Sequence, residues 1–185
     1  MKVILLAAGL SKRMGTNKLV RPVHGTCLLE IALRAALSYT DRLAVVTGYE
    51  REKTAFFAAR YNAEEIFNPD YELGQESSLR RALLSCDEDI IVLPADLPFI
   101  TKEDYLTAET MLKGYEAARP LYDGQPGHPV ALAESLVRKY RSESRTMVRD
   151  LIGQSLHNYY ASSRKACIQD IDTEEAFQNF LTGEQ

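Results

Sequence analysis

The chain has 185 residues, 45% hydrophobic and 26% charged, with a net charge of −4. That length and apolar fraction suit one soluble domain, expected over residues 1–182 with a frayed tail at 183–185. The mild acidity argues against a dedicated nucleic-acid binder, which carries a basic excess. Cys27, Cys86 and Cys167 form no CxxC pair, so reduced thiols in a cytoplasmic protein are expected rather than a zinc site or a disulfide framework. The apolar run at 3–10 is too short for a signal peptide or a membrane span, and no membrane association is expected.

Strand and helix signals alternate along the chain. Lys2–Ala7 reads as a strand buried on both faces. Thr26 is placed to cap a helix over Leu28–Leu37, with Glu30 in its first turn. Leu43–Thr47 is a strand closed by Gly48, Glu50–Tyr61 a helix, Glu65–Phe67 a short strand and Gln75–Leu84 a helix. Asp89–Ala95 is another buried strand. Thr101 with Asp104 has the form of a capping box for a helix reaching about Lys113. Tyr115–Leu121 and Pro129–Ala131 read as strands around a turn at 123–127. Glu134–Tyr140 and Arg145–Ile152 read as helices. His157–Ala161 and Ala166–Ile171 read as strands, and Thr173 caps a last helix at Glu174–Leu181. Such alternation predicts βαβ units, a mostly parallel sheet and a single-domain three-layer α/β/α sandwich.

In open sheets of this kind ligands bind beyond the carboxyl ends of the strands. The segments 8–18, 68–78 and 96–99 are therefore expected to share one crevice. Ala7-Ala8-Gly9 follows the first strand, where small residues let backbone N–H groups approach an anion. Ser11 follows, and Arg13 and Lys18 supply charge for phosphate oxygens. The loop is neither a Walker P-loop nor a GxGxxG fingerprint. Asp96, just past a buried strand, suits a hard divalent cation such as Mg²⁺, which takes one or two carboxylates plus phosphate oxygens. Asp172 offers a second carboxylate, with Asp170 as the alternative, although Asp172 equally suits helix capping. Asn68, Gly74, Ser77 and Ser78 surround a helix N-terminus that suits an anionic ligand, unless Ser77 or Ser78 simply caps the helix. His128, between Gly127 and Pro129, either faces the crevice or is structural. No nucleophile–base pattern accompanies it.

Five stretches carry a resemblance: Leu6-Ala7-Ala8-Gly9-Leu10-Ser11 with Arg13-Met14-Gly15 and Lys18; Asn68-Pro69-Asp70 with Gly74 and Ser77-Ser78-Leu79; Asp96-Leu97-Pro98; Gly127-His128-Pro129-Val130; and Asp170-Ile171-Asp172-Thr173. Their order and spread resemble the molybdenum cofactor cytidylyltransferase family, within the cofactor nucleotidyltransferases that share a Rossmann-like, glycosyltransferase-A-like α/β fold. The resemblance implies a Mg²⁺-dependent enzyme that transfers CMP from CTP to the terminal phosphate of a phosphorylated pterin and releases pyrophosphate. A molybdoenzyme is the implied client. It implies Mg²⁺ on Asp96, with the second metal position on Asp172 or, failing that, Asp170, the triphosphate on Arg13 and Lys18, and His128 toward the acceptor. The Ala-Ala-Gly form resembles the cytidylyl branch, where the guanylyl branch shows Ala-Gly-Gly. Other phosphate acceptors and a non-catalytic cofactor-delivery protein are the alternatives. Relatives also carry a Gly-Asp-x-Gly-x-Arg segment where this chain has Ser142-Glu143-Ser144-Arg145-Thr146-Met147.

Overall fold

Along the first strand, β1 (Lys2–Leu6), alternate side chains go to opposite faces of a sheet, and both sets are buried. Val3 and Leu5 join one apolar core, and Ile4 and Leu6 join the other. A strand flanked by two cores must lie in the middle of three layers, and its uninterrupted apolar sequence follows from that position. The computed structural model describes residues 1–11, 14–142 and 147–183.

The remaining elements are α1 (Leu28–Leu37), β2 (Leu43–Thr47), α2 (Arg51–Arg60), β3 (Glu64–Phe67), α3 (Gln75–Leu84), β4 (Ile90–Pro94), α4 (Lys102–Leu112), β5 (Ala117–Tyr122), β6 (Gln125–Pro126), β7 (Val130–Leu132), α5 (Glu134–Ser142), α6 (Val148–Gln154), β8 (His157–Ala161) and α7 (Glu174–Thr182). Strand order is β3-β2-β1-β4-β7-β5-β6, with β8 paired to β5. The run β3-β2-β1-β4 is parallel, as is β5 with β8. β7 is antiparallel to both β4 and β5 and so joins the two parallel parts. One core lies among β1, α1, α4 and α7; the other lies among β1, α3, α5 and α6. The architecture is the expected three-layer α/β/α sandwich.

Most local signals operate as the sequence suggests. Thr101 and Asp104 form a capping box at α4, and Arg164 braces it by donating to Thr101 Oγ1 at 2.8 Å and to the Phe99 carbonyl at 2.9 Å. Thr173 Oγ1 accepts from the Ala176 N–H at 3.1 Å at the start of α7. Gly183 closes that helix in the left-handed region at φ 76°.

Three expectations are corrected. Thr26 does not cap α1: its hydroxyl donates to Glu30 Oε2 at 2.8 Å, and Cys27 stands at the cap position without a side-chain bond. Glu30 also accepts from Arg34 and Tyr61, so the hydroxyl serves a carboxylate network rather than the helix end. Ala166–Ile171 is not a strand. Lys165–Ile168 is a 3₁₀ turn, and the Ile171 N–H then donates to the Asp96 carbonyl at 3.0 Å. A three-residue apolar run reads alike in a buried strand and a buried turn. Neither Ser77 nor Ser78 caps α3; Gly74 holds that position. Of the helix expected over Arg145–Ile152, residues 145 and 146 lie outside the described residues, and the helix runs from Val148 to Gln154.

Candidate active site

The ends of β1 and β4, the loop after β3 and the segment after β8 enclose a crevice of about 660 Å³. Ala8, Gly9, Ser11, Lys18, Gly74, Ser78, Asp96, His128, Asp170 and Asp172 all line it. The three segments expected to converge do converge. Ala7, Asn68 and Ser77 are not among the lining residues. Ala7 is buried beneath, with its N–H on the Val46 carbonyl. Asn68 is fully buried and supports the wall, donating through Nδ2 to Ser77 Oγ at 2.9 Å and Ser78 Oγ at 3.1 Å. Its Oδ1 accepts the Asp70 N–H at 3.0 Å, which sets the loop's direction. Arg13 lies outside the described residues.

The first loop is built around Lys18. Asn17 starts a 3₁₀ turn over Lys18–Val20, its Oδ1 accepting the Leu19 N–H at 3.1 Å. The Lys18 N–H reaches back to Ser11 Oγ at 3.3 Å, which folds the loop over β1. The ammonium then enters the crevice, 2.6 Å from Asp96 Oδ2, and also donates to Asp172 Oδ1. The lysine side chain is 9% exposed and that of Asp96 is 16%. Burial alone would lower the Lys18 pKa; the two carboxylates outweigh it and raise it, so the ammonium stays charged. Burial pushes the Asp170 carboxyl up, helped by the negative charges of Asp172 and Asp96.

Gly9 stands open to the crevice. A Cβ there would meet no atom of the described residues within 4 Å, so their packing places no demand on this glycine. Gly48 is the opposite case. A Cβ there would fall 2.6 Å from Tyr71 Cβ and 2.7 Å from Ala8 Cβ, so its absence lets Tyr71 close against the first loop as part of the crevice wall. The sequence offered only "strand end" for Gly48, because the contact is long-range.

His128 stands on the far wall beside Gln125, Pro126 and Cys167. Its N–H donates to the Cys167 carbonyl at 2.7 Å, and Arg119 donates from Nε and Nη2 to the Gly127 carbonyl at 3.2 and 3.0 Å. A Cβ on Gly127 would lie 2.6 Å from that same Cys167 oxygen. Burial, with the Arg119 charge nearby, lowers the His128 pKa to about 4, so the ring is neutral near pH 7. Its Nδ1 is buried without a partner among the described residues. The sequence signals no lining role for Cys167, Tyr71 or Gln125 and offers Asp170 only as an alternative to Asp172, because their placement depends on turns that no local periodicity marks.

Among the described residues there is no cluster of three or more His, Cys, Asp or Glu side chains arranged to hold a metal. Two carboxylates nonetheless suit a hard cation that draws its other ligands from phosphate and water. Asp96 Oδ1 is buried and has no hydrogen-bond partner among the described residues, a spare carboxylate oxygen that a cation would satisfy. No described helix is long and apolar enough to cross a membrane.

A mostly parallel α/β sheet whose strand ends present a glycine loop, a buried lysine and paired aspartates defines a nucleotidyltransferase. The chain belongs to the MobA-like NTP transferase family: the family model described as "MobA-like NTP transferase domain" matches residues 3–161. It is 30% identical over 177 residues to the "Molybdenum cofactor cytidylyltransferase" of Escherichia coli K12, covering 94% of this chain and 92% of that protein. An Aquifex aeolicus protein named "Probable molybdenum cofactor guanylyltransferase" is 31% identical over 102 residues, or 55% of this chain and 49% of the relative. A crystal structure from Mycobacterium sp. strain JC1, of a homologue of Mycobacterium tuberculosis rv0371c, superposes with a TM-score of 0.81 at 25% identity and covers 99% and 96% of the two chains.

Proposed function

We propose that this nucleotidyltransferase is a Mg²⁺-dependent cytidylyltransferase that transfers CMP from CTP to the terminal phosphate of molybdopterin, with release of pyrophosphate. The observation that carries the reading is Lys18 between Asp96 and Asp172 at the carboxyl ends of the sheet, beside the Ala7-Ala8-Gly9 loop. The near full-length similarity to the E. coli cytidylyltransferase supports the choice of CTP and of the pterin.

Little covalent work falls to the protein, because the nucleophile is already an ionised phosphate. Catalysis is positioning and neutralisation of the charge that develops on the leaving pyrophosphate. The open backbone at Gly9 admits the phosphates, and Lys18, with Arg13, donates to their oxygens. Asp96 and Asp172 would hold the cation, which when bound supplies Lewis-acid polarisation of the phosphoryl oxygens. Ser78 and Gly74 form the wall that Asn68 sets. Neutral His128 faces the acceptor as a hydrogen-bonding group that adds no charge. The site needs no nucleic acid and no membrane. A cytoplasmic enzyme handing its product to a molybdoenzyme client fits this reading.

The second reading is guanylyl transfer, favoured by the partial similarity to the Aquifex protein. Pyrophosphate release measured with Mg²⁺, molybdopterin and each NTP in turn separates the two. Release with CTP is expected. Release with GTP alone supports the second reading, and release with neither refutes both.

A further inference from the structure

Lys18 does more than await a triphosphate. Its ammonium is held between the two carboxylates that would bind the cation, with Asp96 Oδ2 at 2.6 Å and Asp172 Oδ1 as its second acceptor. The lysine is fixed there from both sides of its own backbone. Ser11 Oγ accepts its N–H, and Asn17 caps the turn it opens while donating from Nδ2 to the Tyr49 carbonyl at 3.4 Å. Asn17 is 2% exposed and Lys18 is 7% exposed, so neither residue has solvent freedom to move aside cheaply. A divalent cation sharing those oxygens would stand within a few ångströms of a buried positive charge, where screening by water is weak.

We infer that Lys18 is an internal counter-ion that competes with the divalent cation for Asp96 and Asp172, and so keeps the protein's affinity for the free cation low. The inference rests on the proposed assignment of those aspartates as metal ligands. The nucleotide relieves the competition, because its triphosphate offers the ammonium another set of oxygens. The cation is then admitted with the nucleotide rather than before it, and the aspartate pair does not collect adventitious metal from solution.

The test is binding of Mn²⁺ alone, with no nucleotide, followed by electron paramagnetic resonance of the free ion. Wild type, Lys18→Met, Lys18→Arg and the double variant Lys18→Met/Asp96→Asn are compared after circular dichroism shows each to be folded. Lys18→Met is expected to bind Mn²⁺ at least tenfold more tightly than wild type, whereas Lys18→Arg, which keeps the charge, stays weak. Equal affinity in wild type and Lys18→Met overturns the proposal, as does Lys18→Arg matching Lys18→Met. If the double variant binds as tightly as Lys18→Met, the metal assignment itself fails. CTP-dependent pyrophosphate release by wild type is scored separately and stands or falls on its own.

Discussion

Lys18 Nζ lies 2.6 Å from Asp96 Oδ2, joining the loop after β1 to the end of β4 across 78 residues of sequence. Both side chains are largely buried, so the pair is not an ordinary surface bridge. Asp96→Asn should keep the fold and lower the rate of pyrophosphate release roughly a hundredfold or more, the scale seen when a key electrostatic group is removed. Steady-state kinetics beside a circular dichroism spectrum checks this. An unchanged rate removes Asp96 from the chemistry.

The two glycines near the first loop should part company on substitution. Gly9→Ala meets no atom of the described residues within 4 Å, so the melting temperature should hold while the KM for nucleotide rises. Gly48→Ala drives a Cβ to 2.6 Å from Tyr71 Cβ, and overpacking of this kind costs about 1–3 kcal/mol. Urea denaturation of both variants, with nucleotide KM measured on each, tells ligand approach from packing. A Gly9→Ala variant that melts early would reverse the assignment.

Much of this site was legible in the sequence. Continuous apolar runs gave β1, β2 and β4, because strands buried on both faces allow no polar interruption. The residues after β1 and β4 had to meet, and Lys18 and Asp96 did, whereas Asp172 reaches them from an irregular segment after a 3₁₀ turn rather than from a strand end. The less legible parts are those set by contacts distant in sequence. Thr26 answers to Glu30 rather than to its helix, and 166–171 is tied down by separate backbone bonds, the Ile171 N–H on the Asp96 carbonyl and the His128 N–H on the Cys167 carbonyl, instead of a ladder. β7 runs antiparallel between two parallel groups, which periodicity cannot signal. Arg13 lies outside the described residues.

His128 makes stability depend on pH in a window of its own. Its folded pKa of about 4 lies below the ordinary 6.5. Between those values the unfolded chain takes up a proton that the folded chain refuses, so stability falls as pH drops from 6.5 toward 4. Because burial causes the shift, the loss between pH 7 and pH 5 should be on the order of 1–2 kcal/mol. Denaturation midpoints at those two pH values measure it, and His128→Gln should flatten the difference. A wild type equally stable at both would show that the histidine titrates normally.

Tyr105 is fully buried, stacks on Tyr39 with ring centroids 5.5 Å apart, and leaves its hydroxyl without a partner among the described residues. An unsatisfied buried hydroxyl is a cost that the phenyl ring avoids. Tyr105→Phe should raise stability by up to about 1 kcal/mol without touching activity, read from thermal melts and pyrophosphate release. A loss of more than that would mean the hydroxyl is bonded in solution.

The central claim is the transfer of CMP to a pterin phosphate. Its most direct test gives the protein Mg²⁺, molybdopterin and equal concentrations of CTP and GTP, then weighs the pterin products by mass spectrometry. The account predicts molybdopterin carrying one CMP, with pyrophosphate released in equal amount. Molybdopterin carrying GMP, or recovered unchanged, would contradict it.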